Sequence, residues 1–313
     1  MKVLVHIDEA DAWRDALAER LPDAEVFTSA APAEKRRQAD YLAAWKPTAD
    51  LLAEPSHLKG IVNLGAGVDA LLGNPSLPAG VPIVKLRDAG MAELIGDYVR
   101  YGVLHFQRDF DRYRRQQHQR QWREHVVSDK VDWPVGVLGL GAIGAKVATM
   151  IAADGFPVHG WSRSPKSLDG VTCHHGEEGL DSLLGQVRTL VLLLPDTSAT
   201  RHIINSRTLA RLPAGASLIN PGRGTLISEA ALFAALGKPE DGEQSHLRGA
   251  ILDAFPEEPL PESSPFWAHP RVWVTPHMAG PTPLGAALDQ VADALRAFET
   301  GKPQETVDPA AGY

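Results

Sequence analysis

One cysteine, no long apolar run and no surplus of basic residues mark this 313-residue sequence. A single thiol, Cys173, excludes an internal disulfide and does not supply the clustered ligands of a zinc site. We therefore expect no metal and a reducing, cytoplasmic setting. No apolar stretch approaches the roughly 20 residues of a membrane helix, so we expect no membrane contact. The formal net charge of −8 disfavours nucleic acid as the main partner.

One locally basic stretch runs against that overall charge. It covers Arg108–Arg123 and reads RDFDRYRRQQHQRQWR. A nucleic-acid arm would need a larger basic surface than this stretch offers. We interpret it as a solvated helix face or as a helix partly buried against another subunit.

Short apolar strand patterns alternate with helical patterns along the whole chain. This order predicts α/β layers with parallel sheets, and 313 residues are enough for two domains. The predicted strands are Lys2–Ile7, Glu25–Thr28, Asp50–Ala53, Gly60–Leu64, Val81–Leu86, Val135–Leu138, Val158–Trp161, Leu190–Leu194, Ser217–Asn220, Gly249–Asp253 and Val272–Thr275. The predicted helices are Asp11–Arg20, Met91–Arg123 with a break near Phe106–Asp111, Ile143–Ala153, Leu180–Gln186, Arg207–Leu212, Ser228–Leu236 and Pro283–Glu299.

The strand at Val135–Leu138 runs into the glycine-rich turn Gly139-Leu140-Gly141-Ala142-Ile143-Gly144, and an alanine-rich helix follows. In a dinucleotide site the first glycine permits the turn, the second lets the backbone approach a pyrophosphate, and the third lets helix and strand pack closely. The free N–H groups of the helix N-terminus then face the phosphates. The alternative is an ordinary tight turn between a strand and a helix.

The end of the next predicted strand distinguishes NADP from NAD. An NAD site usually has an acidic residue about 20 residues after the glycines, where it binds the ribose hydroxyls. Here the chain reads Trp161-Ser162-Arg163-Ser164-Pro165-Lys166, which contains no carboxylate. Because Arg163 with flanking hydroxyls and Lys166 suits a 2′-phosphate, we predict NADPH in preference to NADH. The alternative is that Arg163 is a surface charge.

Three segments that follow predicted strands carry a cation, a carboxylate and an imidazole. They are Asn220–Gly224 with Arg223, Leu252–Leu260 with Glu258, and Thr275–Gly280 with His277. Ligands of open parallel sheets lie at the carboxyl ends of strands, so we expect the three side chains to converge beside the cofactor. An arginine can hold the carboxylate and carbonyl oxygens of a 2-keto acid. A histidine can protonate the carbonyl oxygen, and a neighbouring carboxylate favours its charged form. Each residue alone would be interpreted as structural.

In this order, the motifs resemble those of the D-isomer-specific 2-hydroxyacid dehydrogenase family over essentially the whole chain. The tracts Trp161–Ser164 and Glu258–His277 are most similar to its glyoxylate/hydroxypyruvate reductase A branch. The resemblance implies two doubly wound parallel-sheet domains. These would be a Rossmann-type cofactor domain over residues 96–283 and a flavodoxin-like substrate domain formed by 1–95 and 284–313. It also implies NADPH-dependent reduction of glyoxylate or hydroxypyruvate to the D-2-hydroxy acid, and a homodimer with Met91–Arg123 at the interface.

The resemblance further implies a role for each site residue. Arg223 would bind substrate, and His277 would contact substrate as the acid/base. Glu258 would pair with that histidine. Asp253 would lie near the nicotinamide carboxamide, and Pro195 would pack near the cofactor.

The segment Asn63–Asp69 resembles the substrate loop of the family, in which the N–H groups of Ala66 and Gly67 would hold the substrate carboxylate. Trp45 precedes the predicted third strand, and we interpret it equally as a wall that narrows the pocket or as a core residue. The polar segment Leu236–Arg248 is longer than is usual in the family and is predicted to be a surface excursion.

Rival functions stay open at this point. A dehydrogenase for a larger 2-keto acid would carry the same motifs, since only the pocket lining would differ. A formate dehydrogenase would have glutamine in place of Glu258. A cofactor-sensing interaction protein on this fold can retain the catalytic residues, although such proteins usually carry extra peptide-binding and disordered segments that this sequence does not show.

Overall fold

The structure is a computed structural model that describes residues 1–55, 57–238 and 245–313. The chain separates into two compact units, one formed by Met1–Gly90 with Thr282–Tyr313 and the other by Met91–Pro281. Each unit has its own sheet, in which neighbouring strands pair in parallel. The predicted α/β fold with two doubly wound parallel sheets is confirmed. The assignment of cofactor and substrate to particular domains stays a prediction.

The first unit has a flavodoxin-like sheet. Its strands are β1 (Lys2–His6), β2 (Glu25–Thr28), β3 (Tyr41–Ala44), β4 (Gly60–Asn63) and β5 (Ile83–Lys85). Its helices are α1 (Ala10–Arg20), α2 (Ala33–Arg36), α3 (Ala49–Ala53), α4 (Asp69–Leu72) and, near the end of the chain, α11 (Leu284–Thr300). The strand order β2-β1-β3-β4-β5 changes direction between β1 and β3, which is where sheets of this type bind ligands.

The prediction of a strand at Asp50–Ala53 is wrong, because these residues belong to helix α3 and the third strand is Tyr41–Ala44. The Thr48 side chain caps this helix by accepting a hydrogen bond from the Leu51 N–H at 3.2 Å. A short apolar run suits either a strand or a buried helix, and the capping threonine favours the helix here. Trp45 therefore follows the third strand instead of preceding it.

The second unit has a Rossmann-type sheet. Its strands are β6 (Val135–Leu138), β7 (Val158–Ser162), β8 (Val171–His175), β9 (Thr189–Leu192), β10 (Ala216–Asn220), β11 (Leu247–Leu252) and β12 (Val272–Val274). Its helices are α5 (Met91–Gln107), α6 (Phe110–His118), α7 (Ala142–Ala153), α8 (Gly176–Leu184), α9 (Ser206–Leu209) and α10 (Glu229–Leu236). The strand order is β12-β11-β10-β9-β6-β7-β8.

The centre of this second sheet is fully buried. All residues of β6, β9 and β10 are buried, as expected for parallel strands with helices on both faces. From β6 the chain proceeds to β7 and β8 on one side and returns to β9 on the other. The carboxyl ends of β6 and β9 therefore form the switch point at which dinucleotides bind in such sheets.

The predicted long helix breaks within Phe106–Asp111 as expected, but it ends at His118 and not at Arg123. Residues 239–244 of the predicted excursion at Leu236–Arg248 lie outside the described residues. None of the helices in the parts of the chain that the structure describes is long and apolar enough to span a bilayer.

Candidate active site

A tight turn connects β6 to α7. Gly139 has a φ of 106°, a left-handed value that favours glycine. Its N–H donates to the Trp161 carbonyl at 2.8 Å. A Cβ on Gly139 would lie 2.5 Å from the Leu193 carbonyl oxygen. The turn therefore has no room for a side chain at this position.

The other two glycines of the turn have different surroundings. A Cβ on Gly144 would lie 1.8 Å from the Gly139 carbonyl oxygen, so α7 packs directly on the end of β6. A Cβ on Gly141 would meet no atom of the described residues within 4 Å. Ala142 and Ile143 form the first turn of α7, where backbone N–H groups have no helical acceptor. This open space at a helix N-terminus has the form of a pyrophosphate site.

The residues predicted to bind the 2′-phosphate lie at and after the end of β7, the strand next to β6 in the sheet. The Ser162 Oγ donates to the Ser164 carbonyl at 2.7 Å, which folds the segment into a tight turn. Arg163, Ser164 and Lys166 are exposed. Cationic and hydroxyl groups therefore face solvent beside the glycine turn, and no carboxylate accompanies them within residues 162–166.

Pro195 comes three residues after β9, which ends at Leu192. Strand β9 lies beside β6 on the side opposite β7, so this segment is on the other side of the glycine turn from Arg163. Pro195 is exposed, and its carbonyl accepts a hydrogen bond from the Thr200 Oγ1 at 2.6 Å. Because β9 and β6 form the switch point, this segment borders the position expected for a bound dinucleotide.

The loop after β10 carries Arg223 and rests on the loop after β11. The Nη1 of Arg223 donates to the Gly222 carbonyl at 2.9 Å, and the Arg223 carbonyl accepts from the Asn220 Nδ2 at 2.9 Å. A Cβ on Gly224 would lie 2.0 Å from the carbonyl carbon of Phe255. Only glycine permits such close backbone contact, which brings the arginine loop against the loop that carries Glu258.

His277 and Glu258 form a close pair. The His277 Nδ1 lies 2.9 Å and 2.8 Å from the two carboxylate oxygens of Glu258. The Phe255 N–H donates to the Glu258 Oε1 at 3.1 Å and orients the carboxylate. The two side chains are 31% and 24% exposed, so the pair can reach a ligand. With Nδ1 engaged by the carboxylate, Nε2 is the ring nitrogen left to exchange a proton with a substrate.

The histidine lies on a strained turn that Asp253 holds. His277 has a φ of 52°, an uncommon value for a residue with a side chain. Its N–H donates to the Asp253 carbonyl at 2.8 Å. The fully buried Asp253 carboxylate accepts hydrogen bonds from the N–H groups of Met278 and Ala279, each at 2.9 Å. The position of Asp253 near the nicotinamide carboxamide stays a prediction.

Sequence reasoning did not single out two side chains beside this turn. The Thr275 Oγ1 donates to the Asp253 Oδ1 at 2.6 Å, and the Tyr98 hydroxyl lies 2.6 Å from the same threonine oxygen. Thr275 begins one of the three motifs, so its proximity to His277 could be read from the sequence. Tyr98 is 177 residues away from Thr275, and no local pattern marks it.

In the first unit, the predicted substrate loop folds around the buried Asn63. The Asn63 Nδ2 donates to the carbonyls of Gly65 and Gly67 at 2.8 Å and 2.9 Å. Ala66 and Gly67 are partly exposed. The Trp45 ring packs on this loop, since a Cβ on Gly65 would lie 2.2 Å from it. Trp45 follows β3 at the switch point of this sheet, which brings it beside the loop.

Comparison with known proteins gives a consistent result. Residues 101–279 match the model of the D-isomer specific 2-hydroxyacid dehydrogenase, NAD binding domain family. A glyoxylate/hydroxypyruvate reductase A of Serratia proteamaculans is 42% identical over 310 residues, which are 97% of this chain and 96% of that protein. Its counterpart in Photorhabdus laumondii is 40% identical over 311 residues, 97% of each chain.

Solved structures agree with these relatives. A D-isomer specific 2-hydroxyacid dehydrogenase from Xanthobacter autotrophicus, in complex with NADPH and MES, has a TM-score of 0.91 and 38% identity, covering 99% of each chain. An NADPH-dependent glyoxylate/hydroxypyruvate reductase from Sinorhizobium meliloti, in complex with NADP and sulfate, has a TM-score of 0.89 and 36% identity. That match covers 100% of this chain and 99% of the other.

Proposed function

Because the chain belongs to the D-isomer specific 2-hydroxyacid dehydrogenase family, we propose that it uses NADPH to reduce a small 2-keto acid, glyoxylate or hydroxypyruvate, to the D-2-hydroxy acid. The observation that carries this proposal is the close pair of His277 and Glu258, in the same compact unit as the glycine turn. Two relatives at 40–42% identity are named as reductases of these acids.

The second unit has surfaces that fit a dinucleotide. The open space at Gly141 would take the pyrophosphate, with N–H groups from Ala142 and Ile143 as donors. Arg163 would bind the 2′-phosphate, helped by the nearby hydroxyls and Lys166, which supports NADPH over NADH. When bound, the cofactor supplies the hydride. Structures of two relatives contain NADPH or NADP, which also supports this choice.

The side chains of the candidate site would orient the substrate and move one proton. Arg223 would bind the carboxylate and carbonyl oxygens of the 2-keto acid, which orients the carbonyl carbon. His277 would give its Nε2 proton to the carbonyl oxygen, and Glu258 would stabilise the charged imidazolium before that transfer.

The loop of the first unit would contribute to specificity. Backbone N–H groups of Ala66 and Gly67 would bind the substrate carboxylate, for which a glycine-rich loop is well suited. Trp45 packs on this loop at Gly65, and its ring would limit the size of the substituent on the keto acid. Such contacts would favour a small acid such as glyoxylate over a bulky one such as phenylpyruvate.

We also propose a homodimer in the cytoplasm. Large apolar side chains are exposed on α5, on α6 and on the segment that follows them: Leu104, Phe110, Trp122 and Val126. A second copy covering this surface would remove it from water. The single free cysteine supports a reducing compartment. A monomer mass by light scattering at micromolar concentration would contradict the dimer, and membrane or periplasmic fractionation would contradict the location.

The decisive assay follows NADPH oxidation with a panel of 2-keto acids that includes glyoxylate, hydroxypyruvate and phenylpyruvate, repeated with NADH. We expect the highest kcat/KM with NADPH and a small acid. Faster turnover of phenylpyruvate would indicate a larger substrate. Binding of NADPH without turnover of any acid would contradict the proposal and favour a cofactor-sensing protein.

The role of His277 can be tested in the same assay. Replacing it with alanine removes the proton donor, so we expect kcat to fall by about 100-fold or more. His118→Ala, at the exposed end of α6, is a control that should leave kcat unchanged. A folded His277→Ala protein with nearly normal kcat would contradict the role of His277 as acid.

A further inference from the structure

A chain of side-chain hydrogen bonds leads from helix α5 to the turn that carries His277. The Tyr98 hydroxyl lies 2.6 Å from the Thr275 Oγ1, and that oxygen lies 2.6 Å from the Asp253 Oδ1. All three residues belong to the second unit. Each distance is at the short end for hydrogen bonds between oxygens, so these contacts are well formed.

The chemistry of the three groups determines which one donates in each of the two hydrogen bonds. A carboxylate only accepts hydrogen bonds, so the single hydroxyl proton of Thr275 is donated to Asp253. The Thr275 oxygen is then an acceptor for Tyr98, whose hydroxyl donates. Burial raises the pKa of Tyr98 above its ordinary value, which keeps that proton in place. Both donations therefore point toward the Asp253 carboxylate.

The last member of the chain holds the strained backbone at His277. The Asp253 carboxylate accepts the N–H groups of Met278 and Ala279, while its carbonyl accepts the His277 N–H. A left-handed conformation at a residue with a side chain persists only where the surroundings determine it. The orientation of the Asp253 carboxylate therefore supports the turn, and the Thr275 hydroxyl donates to the same Oδ1 that accepts the Met278 N–H.

We propose that Tyr98 and Thr275 are positioning residues for His277, which act through Asp253 and do not touch the substrate. The inference rests on the proposed role of His277 as the acid. It predicts that the two hydroxyl groups affect the proton-transfer step more than the binding of either ligand.

Packing and positioning can be separated at this site. A Cβ on Gly280 would lie 2.5 Å from Ile95, so α5 packs on the same segment through apolar contacts as well. Tyr98→Phe keeps the ring and removes only the hydroxyl. The packing of α5 should therefore survive this substitution, whereas the donation to Thr275 is lost.

The kinetic test compares two tyrosines of the same helix. We expect Tyr98→Phe to lower kcat about threefold to tenfold, the effect of one hydrogen bond, with the KM for NADPH unchanged. Tyr101→Phe removes a hydroxyl from a side chain that is 46% exposed, and it should leave kcat unchanged. A kcat for Tyr98→Phe equal to that of the wild type would overturn the proposal.

Variants of Thr275 test whether the two hydroxyls act in one chain. Thr275→Val removes the donor to Asp253 and should lower kcat more than Tyr98→Phe does. Thr275→Ser keeps the hydroxyl, so it should retain most of the wild-type kcat. Adding Tyr98→Phe to Thr275→Val should have no further effect, since the chain is already interrupted. Independent, multiplying effects would overturn the proposal.

A spectroscopic test does not depend on turnover. In protein with isotope-labelled histidine, the ring resonance of His277 is identified by its loss in His277→Ala. We expect Tyr98→Phe to shift or broaden this resonance and Tyr101→Phe to leave it unchanged. An unchanged His277 resonance in Tyr98→Phe overturns the proposal whatever the kinetics show. If the wild type reduces no 2-keto acid but the resonance still shifts, the proposed function fails and the positioning role stands.

Discussion

Replacing Gly224 with alanine tests whether the Arg223 loop must rest directly on the loop that carries Glu258. The new Cβ would lie 2.0 Å from the carbonyl carbon of Phe255 and 2.3 Å from its Cα. Both are backbone atoms, so neither can rotate away. Ordinary contact begins at 3.4 Å, and the two loops would have to separate by about 1.4 Å.

This separation is large on the scale that catalysis tolerates. A misplacement of about 1 Å can lower a rate by roughly 100-fold. Because Arg223 precedes Gly224 in the chain and the Phe255 N–H orients Glu258, both groups move with their loops. We therefore expect kcat/KM for the 2-keto acid to fall about 100-fold in Gly224→Ala. Binding of NADPH should persist, because the glycine turn after β6 is built from other residues.

Steady-state kinetics measures kcat/KM for the 2-keto acid, and fluorescence titration measures the affinity for NADPH. Circular dichroism verifies the fold. Gly285→Ala is the matched control, since its Cβ in α11 would meet no atom of the described residues within 4 Å. It should keep normal kcat/KM, since no described atom has to move to accept the new methyl group. If folded Gly224→Ala retains kcat/KM within about threefold of the wild type, close loop contact is not required and the reasoning is refuted.

Three further predictions concern the cofactor and stability. Arg163→Ala should lower kcat/KM for NADPH and leave that for NADH unchanged, and equal losses would remove the residue from the 2′-phosphate site. Arg248→Ala removes the ion pairs with Asp109 and Asp111 and leaves each aspartate with one arginine of α6, Arg112 or Arg115. Urea unfolding should therefore show a loss of about 1.5–3 kcal/mol, and a loss below about 0.5 kcal/mol would contradict this. Burial lowers the pKa values of His105, His159 and His174. As pH falls through about 6.5, the unfolded chain therefore takes up more protons than the folded chain. Tm should decrease as the pH is lowered from about 7.5 to 5.5, and a Tm that does not change with pH over this range would refute the prediction.

Burial explains which strands could be predicted from the sequence. The central strand β6 has the predicted bounds Val135–Leu138, because a strand covered on both faces is a continuous apolar run. Strand β8 at Val171–His175 was missed, since it lies at the edge of the sheet and none of its residues is buried. Its pattern of threonine, cysteine and histidine carries no apolar periodicity.

The same limit explains the error at the third strand. Leu51 and Leu52 are both buried, so the apolar signal at Asp50–Ala53 was correct while the type of element was wrong. Four or five residues are too few to show a helical period. The confirmed α/β fold did not depend on this element, because the alternation of the remaining strands and helices was sufficient to indicate parallel sheets.

Two levels of organisation build the candidate site, and only one of them is visible in the sequence. Parallel strands end at one edge of the sheet, so polar residues in the loops that follow apolar runs become candidates, and Arg223, Glu258 and His277 all lie in such loops. What holds His277 in its left-handed conformation is a rotamer of the buried Asp253 and a hydroxyl on a helix far away in the chain. Side-chain rotamers and hydrogen bonds between residues that are distant in the sequence produce no periodic pattern in that sequence. Sequence reasoning can therefore name candidate residues for such a site, whereas the groups that hold them in place become visible only in three dimensions.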